Sequence, residues 1–440
     1  MTWPIKKLGD KEYFEILESG VEKFEGKKEY LSTSSIEKNK IITSEGKITY
    51  QKRPSRANMQ PRLNSVWFAR MINTIKVYSF TERNKDEVNK YILSTGFAGI
   101  LCNTEKVHPL YLEKIFLSDW FNNLKNNLAS DKAIQKSLNN EDIKILEIPL
   151  PPLPIQQKIV KVLDAIQSAI EIQEKIIEKT KELKKSLMNL LFHYGLAGLR
   201  VKELMSSRVG ELKSEELEKL GLKLKKTEIG EIPEHWEVVR LGEICEIVYG
   251  IQTSVSEVKE KIGRIPILTN KNITDEGSIE LSELSYYPED LINTQKHLLK
   301  KGDIIFNWRS GSLEHVGKSA IFNLDGKFTF SSFLLRFRVK QDKAYPHFLN
   351  YYLNKIRKEG FLKFFAHQAS INQSLNASIS SSIPVFLPPL PEQQKIAEIL
   401  QTIDQKIEIE KRKKELYEEL FKTMLNKIMS QEIDVEKIEI

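Results

Sequence analysis

Leu150-Pro151-Pro152-Leu153-Pro154-Ile155-Gln156-Gln157-Lys158-Ile159 returns 237 residues later as Leu387-Pro388-Pro389-Leu390-Pro391-Glu392-Gln393-Gln394-Lys395-Ile396. The same offset carries Ile134-Gln135-Lys136-Ser137-Leu138-Asn139 onto Ile371-Asn372-Gln373-Ser374-Leu375-Asn376, and Pro109-Leu110-Tyr111-Leu112 onto Pro346-His347-Phe348-Leu349. A constant offset held over such a span means two copies of one unit. Near the start, Trp3, Leu8 and Gly9 answer Trp236, Leu241 and Gly242 at an offset of 233, so insertions between the anchors absorb the difference. The chain therefore reads as a variable domain over 1–148, a helical region with linker over 149–226, a second variable domain over 227–383 and a second helical region over 384–440.

After each proline cluster the pattern turns helical. Ile159, Val162, Leu163, Ile166, Ala169, Ile170, Ile176, Ile177, Leu183, Leu187, Leu190 and Leu191 keep the three-four spacing of a coiled-coil seam. Ile396, Ile399, Leu400, Ile403, Ile407, Leu420, Phe421, Met424 and Ile428 keep the same phase in the second copy. Prolines suit a first helical turn, where the missing N–H has no partner to lose, and Glu392 favours the helix N-terminus through the dipole. Each seam turns polar once, at Gln173 and at Glu410, a substitution that costs stability and can fix register. A helix of about 40 residues spans on the order of 60 Å, long for an element inside one small domain. Two such helices most simply pack on each other, and an antiparallel pair would set the variable domains at opposite ends. A Pro-x-x-Pro ligand for a peptide-binding module is the other reading of the prolines. A stiff lead-in to a helix accounts better for their position in both copies.

In the second variable domain, short β-type runs occur at Ile265–Leu268, Asp303–Phe306, Ala320–Phe322 and Phe333–Phe337. Gly250, Gly263, Gly277, Gly302, Gly311 and Gly326 punctuate them as turns. Tyr345–Leu353 and Lys355–Phe365 read as helices. The expectation is an α+β domain of mostly antiparallel strands. The first domain has the same tail and a different middle.

The chain has 440 residues, 40% apolar and 29% charged, which is globular composition. It has no apolar run of membrane-spanning length and no signal-peptide pattern at Met1-Thr2-Trp3-Pro4. Two distant cysteines, Cys102 and Cys245, fit a reducing cytoplasm and no disulfide framework or zinc site. The net charge of +7 is mild, but its distribution is uneven. From Gly46 to Thr81 no acidic residue occurs, while Lys47, Lys52, Arg53, Arg56, Arg62, Arg70 and Lys76 do. Such a stretch can neutralise phosphates; on charge alone a solvated loop fits as well.

On the duplicated Leu-Pro-Pro-Leu-Pro-x-Gln-Gln-Lys-Ile, the Ile232-Pro233-Glu234-His235-Trp236 opening, and Gly302-Asp303-Ile304-Ile305 with a later Gly317-Lys318, the chain resembles the specificity subunits of type I restriction-modification systems over essentially its whole length. The resemblance implies two target-recognition domains, each reading one half of a split, asymmetric target in double-stranded DNA. It implies two helical regions that pair antiparallel, space the halves and dock modification (methyltransferase) subunits, which methylate adenine. A separate motor-nuclease restriction subunit cleaves. No cofactor, metal site or catalytic residue is expected in the chain itself. The first domain departs from the pattern: it lacks a clear Ile-Pro-Glu-x-Trp, and Pro54-Ser55-Arg56-Ala57-Asn58 has no counterpart in the second.

Two rival readings are a stand-alone DNA-modifying enzyme and a coiled-coil scaffold. A methyltransferase needs a glycine-rich cofactor turn and an Asn/Asp-Pro-Pro-aromatic motif, and neither is found. A nuclease needs clustered carboxylates; Glu257-x-Lys259 and Asp303 are scattered, Asp303 reads better as a turn residue, and His108, His297, His315 and His367 show no metal spacing. A scaffold would lack salt-dependent DNA binding. The DNA-facing candidates in the first domain are Lys52, Arg53, Arg56, Asn58, Gln60, Arg62 and Arg70. Arginine can pair bidentately with guanine, and asparagine or glutamine with adenine. Pro54 and Pro61 would stiffen the loop. The alternative is that Arg56 and Asn58 brace it. The comparable set in the second domain is Lys271, Asn272, Trp308 and Arg309.

Overall fold

The computed structural model describes residues 3–130, 137–206, 221–227, 230–252, 264–289, 295–310, 312, 314–369 and 374–438. Of the sequence features above, Ile134 to Lys136, Ile371 to Gln373, Glu257, Lys259, Gly263, Gly311 and the side chain of His367 lie outside the described residues. The chain forms two compact units, residues 1–176 with 410–440 and residues 177–409. Each holds one α+β domain and one half of each of two long helices, Leu153–Tyr194 and Leu390–Met429.

The repeated sequence is explained at the helix starts. Pro152 O accepts the N–H groups of Ile155 and Gln156, and Pro389 O those of Glu392 and Gln393. The side chains of Gln156 and Gln393 are fully buried. Gln156 Nε2 donates to Pro151 O at 2.8 Å and Lys106 O at 3.0 Å, and its Oε1 accepts His108 N–H at 2.8 Å. Gln393 repeats this with Pro388 O at 2.8 Å, Lys343 O at 3.3 Å and Tyr345 N–H at 2.8 Å. His108 and Tyr345 immediately precede the helices Pro109–Leu117 and Pro346–Lys358, each with proline in its first turn. One glutamine thus ties each long helix to its own domain.

The helices pair antiparallel. In the first unit Glu174 meets Lys414 at 3.0 Å, and Ile159 and Leu163 share a core with Leu425 and Ile428. In the second, Lys184 meets Asp404 at 2.5 Å, and Leu187 and Leu191 share a core with Ile396 and Leu400. Ile166, Ile403 and Met424 are half-buried on the seam. Of the polar seam residues, Glu410 is buried and paired with Lys413 at 3.1 Å, while Gln173 has a buried Oε1 without a hydrogen-bond partner among the described residues. Leu183 and Leu420, expected on the seam, are 40% and 44% exposed. Their neighbours Lys184 and Phe421 take the inward positions instead, Lys184 by laying its stem along the pair with its Nζ on Asp404.

The two domains share one frame. In the first, an antiparallel sheet runs in the order Phe14–Leu17, Phe97–Cys102, Ser65–Ala69, Val77–Phe80; in the second, Cys245–Tyr249, Leu334–Val339, Ile304–Asn307, Ser319–Ile321. A second sheet in each contains one parallel pair, Lys28–Leu31 with Tyr91–Ser94 and Arg264–Leu268 with Thr329–Phe330. The chain starts are stitched to the chain ends of each domain in the same register, Ile5 opposite Pro149 and Val238 opposite Phe386. Leu8 and Leu241 are buried, and a Cβ on Gly9 or Gly242 would lie 2.9 Å from that of Lys144 or Ser381, so only glycine fits there.

In the second domain the helices run Pro346–Lys358 and Phe361–Ala369, so the break falls several residues later than the sequence spacing suggests. Gly360, with φ +81°, makes that break. Gly250 is not a turn residue. A Cβ there would sit 2.1 Å from Ser331 O, so it permits close approach of two backbones.

Candidate nucleic-acid interface

In each domain a short hairpin carries the chain from the second sheet to the first. In the first domain this is Thr95-Gly96. Arg56 O accepts Thr95 N–H and Gly96 O accepts Arg70 N–H, both at 2.9 Å. Arg56 and Arg70 therefore flank one hairpin, and the loop bearing Arg53 and the short strand Ala57–Met59 that carries Asn58 lie at the same end. Arg53 stacks on Tyr50, 4.3 Å from the ring centroid, and donates to Tyr50 O at 2.8 Å. Lys52 and Arg56 are exposed and their side chains have no partner among the described residues.

The other candidates of this domain are placed differently. Arg70 is half-buried, and burial lowers its pKa, though a guanidinium stays charged. It donates to Phe97 O at 3.0 Å, Leu138 O at 3.3 Å and Asn140 Oδ1 at 2.8 Å, so it braces the hairpin rather than facing outward. Gln60 accepts Glu22 N–H at 2.8 Å. Arg62 lies before Ser65, at the opposite end of the strand from Arg70, and pairs with Glu15 at 3.3 Å. The acid-free segment is thus not one surface.

The equivalent hairpin of the second domain is Ser331 to Phe333. Trp308 Nε1 donates to Ser332 O at 2.8 Å. Trp308 holds the post that Arg70 holds in the first domain: Leu138 N–H bonds Arg70 O at 3.0 Å, and Leu375 N–H bonds Trp308 O at 2.9 Å. Arg309 is exposed, with no partner for its side chain among the described residues. Lys271 is exposed and pairs with Glu283 at 3.4 Å.

Asn272 requires a correction. It is 2% exposed, its Oδ1 accepts Thr269 N–H at 2.9 Å, and its Nδ2 donates to Glu280 O at 2.9 Å and Glu283 O at 3.0 Å. Its counterpart 237 residues earlier is Ser35, which accepts Ser32 N–H at 3.1 Å. Both close a 3-10 turn, and Asn272 has no hydrogen-bonding capacity left for a base. Residues the sequence reading missed are Tyr50, which carries Arg53, and Tyr249 and Phe333, which flank Trp308. Their signal was an aromatic residue at or within two residues of a strand end.

The family marks prove to be structural. Asp303 is buried and held bidentately by Arg338, at 2.8 and 2.7 Å, while also accepting Lys300 N–H at 2.8 Å. Gly302, with φ +89°, supplies the turn before it. Lys318 pairs with Asp275 at 3.2 Å. Both cysteines are buried, and burial pushes their thiols well above the usual range. Among the described residues no three His, Cys, Asp or Glu side chains are grouped to hold a metal ion, and no helix is long and apolar enough to cross a membrane.

The family model described as type I restriction modification DNA specificity domain matches residues 3–182 and 233–419. The putative type I restriction enzyme MjaX specificity subunit of Methanocaldococcus jannaschii is 30% identical over 337 residues, 76% of this chain and 70% of its own length. The MjaVIII specificity subunit of the same organism is 30% identical over 330 residues, 72% and 69%. The EcoKI specificity subunit of Escherichia coli is 25% identical over 178 residues, 40% and 37%. Among solved structures, a chain from work on complex assembly and conformational transition of the type I R-M system superposes with a TM-score of 0.59 at 20% identity, over 97% of each chain. The S subunit of a type I restriction-modification system from M. genitalium superposes at 0.52 with 14% identity, over 98% of this chain and 96% of that one. At these identities the likeness extends to the fold.

Proposed function

Because the chain belongs to the type I restriction-modification DNA specificity family, we propose that its two domains read the two halves of one split, asymmetric DNA target. In that family the chain is the non-catalytic DNA-recognition component. The observation that carries the two-reader proposal is the shared frame with different edges. The same hairpin end presents Arg53, Arg56 and Asn58 in one domain and Trp308 and Arg309 in the other. A common scaffold with different side chains at one place is what two readers of different sequences require.

Residues 1–148 and 227–383 are the readers. Residues 149–226 and 384–440 space them and dock modification subunits that methylate adenine; restriction subunits acting as motor-nucleases complete the complex. With helices of about 60 Å, the span is under two turns of duplex at roughly 34–36 Å per turn. Methylome sequencing of a host carrying this gene and its partner genes tests the reading. Exchange of residues 1–148 for another member's domain should change one half of the methylated sequence and leave the other. A change in both halves together, or in neither, refutes the assignment. Removing one heptad around Gln173 or Glu410 should alter the spacer or abolish assembly.

A further inference from the structure

Resting on the reading that both domains contact DNA, we propose that the second domain distinguishes its half of the target chiefly by apolar contact with thymine methyl groups, through an aromatic edge formed by Tyr249, Trp308 and Phe333. The register places the three together. Tyr249 pairs with Leu335 and Asn307 with Leu334, so the end of one strand, the residue after the next, and the residue before the third meet at one edge of the sheet. The rings of Tyr249 and Trp308 stand edge to face with centroids 5.4 Å apart. Tyr249 is 41% and Phe333 49% exposed.

The polar ring atoms of this edge are bonded to backbone. Trp308 Nε1 donates to Ser332 O, and Tyr249 Oη accepts Ala377 N–H at 2.9 Å, next to Asn376, which caps the helix Ala377–Ser381. Phe333 has no polar atom. Among the described residues, ring surface and the Arg309 guanidinium are what this edge leaves exposed. In the major groove, the base feature that rewards apolar contact is the C5 methyl of thymine, and Arg309 supplies the charge that holds a phosphate or guanine beside it. The first domain presents exposed Arg56 and Met71 at the corresponding end, with Arg53 on Tyr50 and 3.5 Å from Asn58 Oδ1, and its polar side chains there suit hydrogen-bonded reading. The two half-sites are therefore read by different chemistry.

The test uses the full chain assembled with its modification subunits and a duplex carrying the mapped target. The second half-site is identified as the one that changes when residues 227–383 are exchanged. Deoxyuridine replaces thymine in one half-site at a time. Each substitution in the second half should weaken binding about fourfold, the worth of one buried methyl. Phe333→Ala should lose affinity and abolish that sensitivity, while Phe333→Leu, which keeps apolar surface, should retain it. Insensitivity to deoxyuridine in a second half-site whose sequence still matters overturns the contact and leaves the two-reader assignment standing. A Phe333→Ala variant with altered DNA bending but unchanged deoxyuridine sensitivity also overturns it, in favour of a wedge between base steps. Indifference to any sequence in that half refutes the two-reader assignment as well.

Discussion

Gln156 holds the backbone N–H of His108 at 2.8 Å while its amide nitrogen satisfies the carbonyls of Pro151 and Lys106. A side chain with no solvent exposure and three bonds to backbone is costly to remove, because each group left behind stays buried and unpaired. Gln156→Ala should destabilise the first unit by about 2–3 kcal/mol, read as a fall in the denaturation midpoint. Gln156→Glu should not rescue it, since a carboxylate would face two carbonyls. Gln393→Ala should do the same in the second unit.

Lys52 and Arg56 are exposed without side-chain partners among the described residues, whereas Arg62 is engaged with Glu15 at the other end of its strand. Alanine at Lys52 or at Arg56 should each reduce the salt dependence of DNA binding by about one unit of slope if the residue contacts phosphate. Arg62→Ala should leave the slope unchanged. Fluorescence anisotropy across a salt series separates them, and equal effects at all three positions would contradict the placement of the edge.

Arg70→Ala should act on folding rather than on readout. Its three bonds to Phe97 O, Leu138 O and Asn140 Oδ1 hold the hairpin, and losing them should cost about 1–3 kcal/mol. Below the melting transition, the salt slope of the variant should match that of the unmodified chain.

The buried Oε1 of Gln173 has no hydrogen-bond partner among the described residues, so Gln173→Leu should raise stability by about 1–2 kcal/mol. The gain should come with weaker control of register, seen as a broadened spacer preference in the methylome. A fall in the melting temperature would contradict the seam assignment.

Lys125 is buried beneath the turn after Ala69, donating to Ala69 O at 3.2 Å, Met71 O at 3.4 Å and Thr74 O at 2.7 Å. Burial pulls its pKa down from 10.5 to about 8. Between those values the unfolded chain binds more protons than the folded one, so this residue makes stability rise with pH across that window. Below about pH 8 it contributes no slope, because the ammonium is charged in both states. The difference in urea midpoint between the unmodified chain and Lys125→Met should therefore change in favour of the unmodified chain from pH 8 to 10. A constant difference would refute the shift.

The repeat, the proline lead-ins and the helix pair were legible because their signals are local and periodic. The pairing that separates Arg56 from Arg62 was not. It depends on which end of Ser65–Ala69 faces the hairpin, and non-local register leaves no mark in a charge count. Nor was the parallel strand pair in each domain legible, since residues far apart in sequence supply its two strands. Asn272 could have been placed: Thr269 to Asn272 aligns with Ser32 to Ser35 at the repeat offset, and a polar residue three after a Thr or Ser is a capping signal. Leu183 and Leu420 are apolar residues one position out of phase, a distinction too fine for hydrophobicity alone when Lys184 can bury its stem.

Arg70 and Trp308 differ in charge, shape and polarity, yet each donates from its side chain to a backbone carbonyl at its hairpin, Phe97 O for Arg70 and Ser332 O for Trp308. The hairpin is a socket that accepts more than one kind of plug. Neighbours such as Arg56 or Phe333 can then be exchanged singly without redesign of the crossing. On the two-reader proposal, a new preference at one half-site becomes accessible by point substitution, with no change required in the helices or in the other domain.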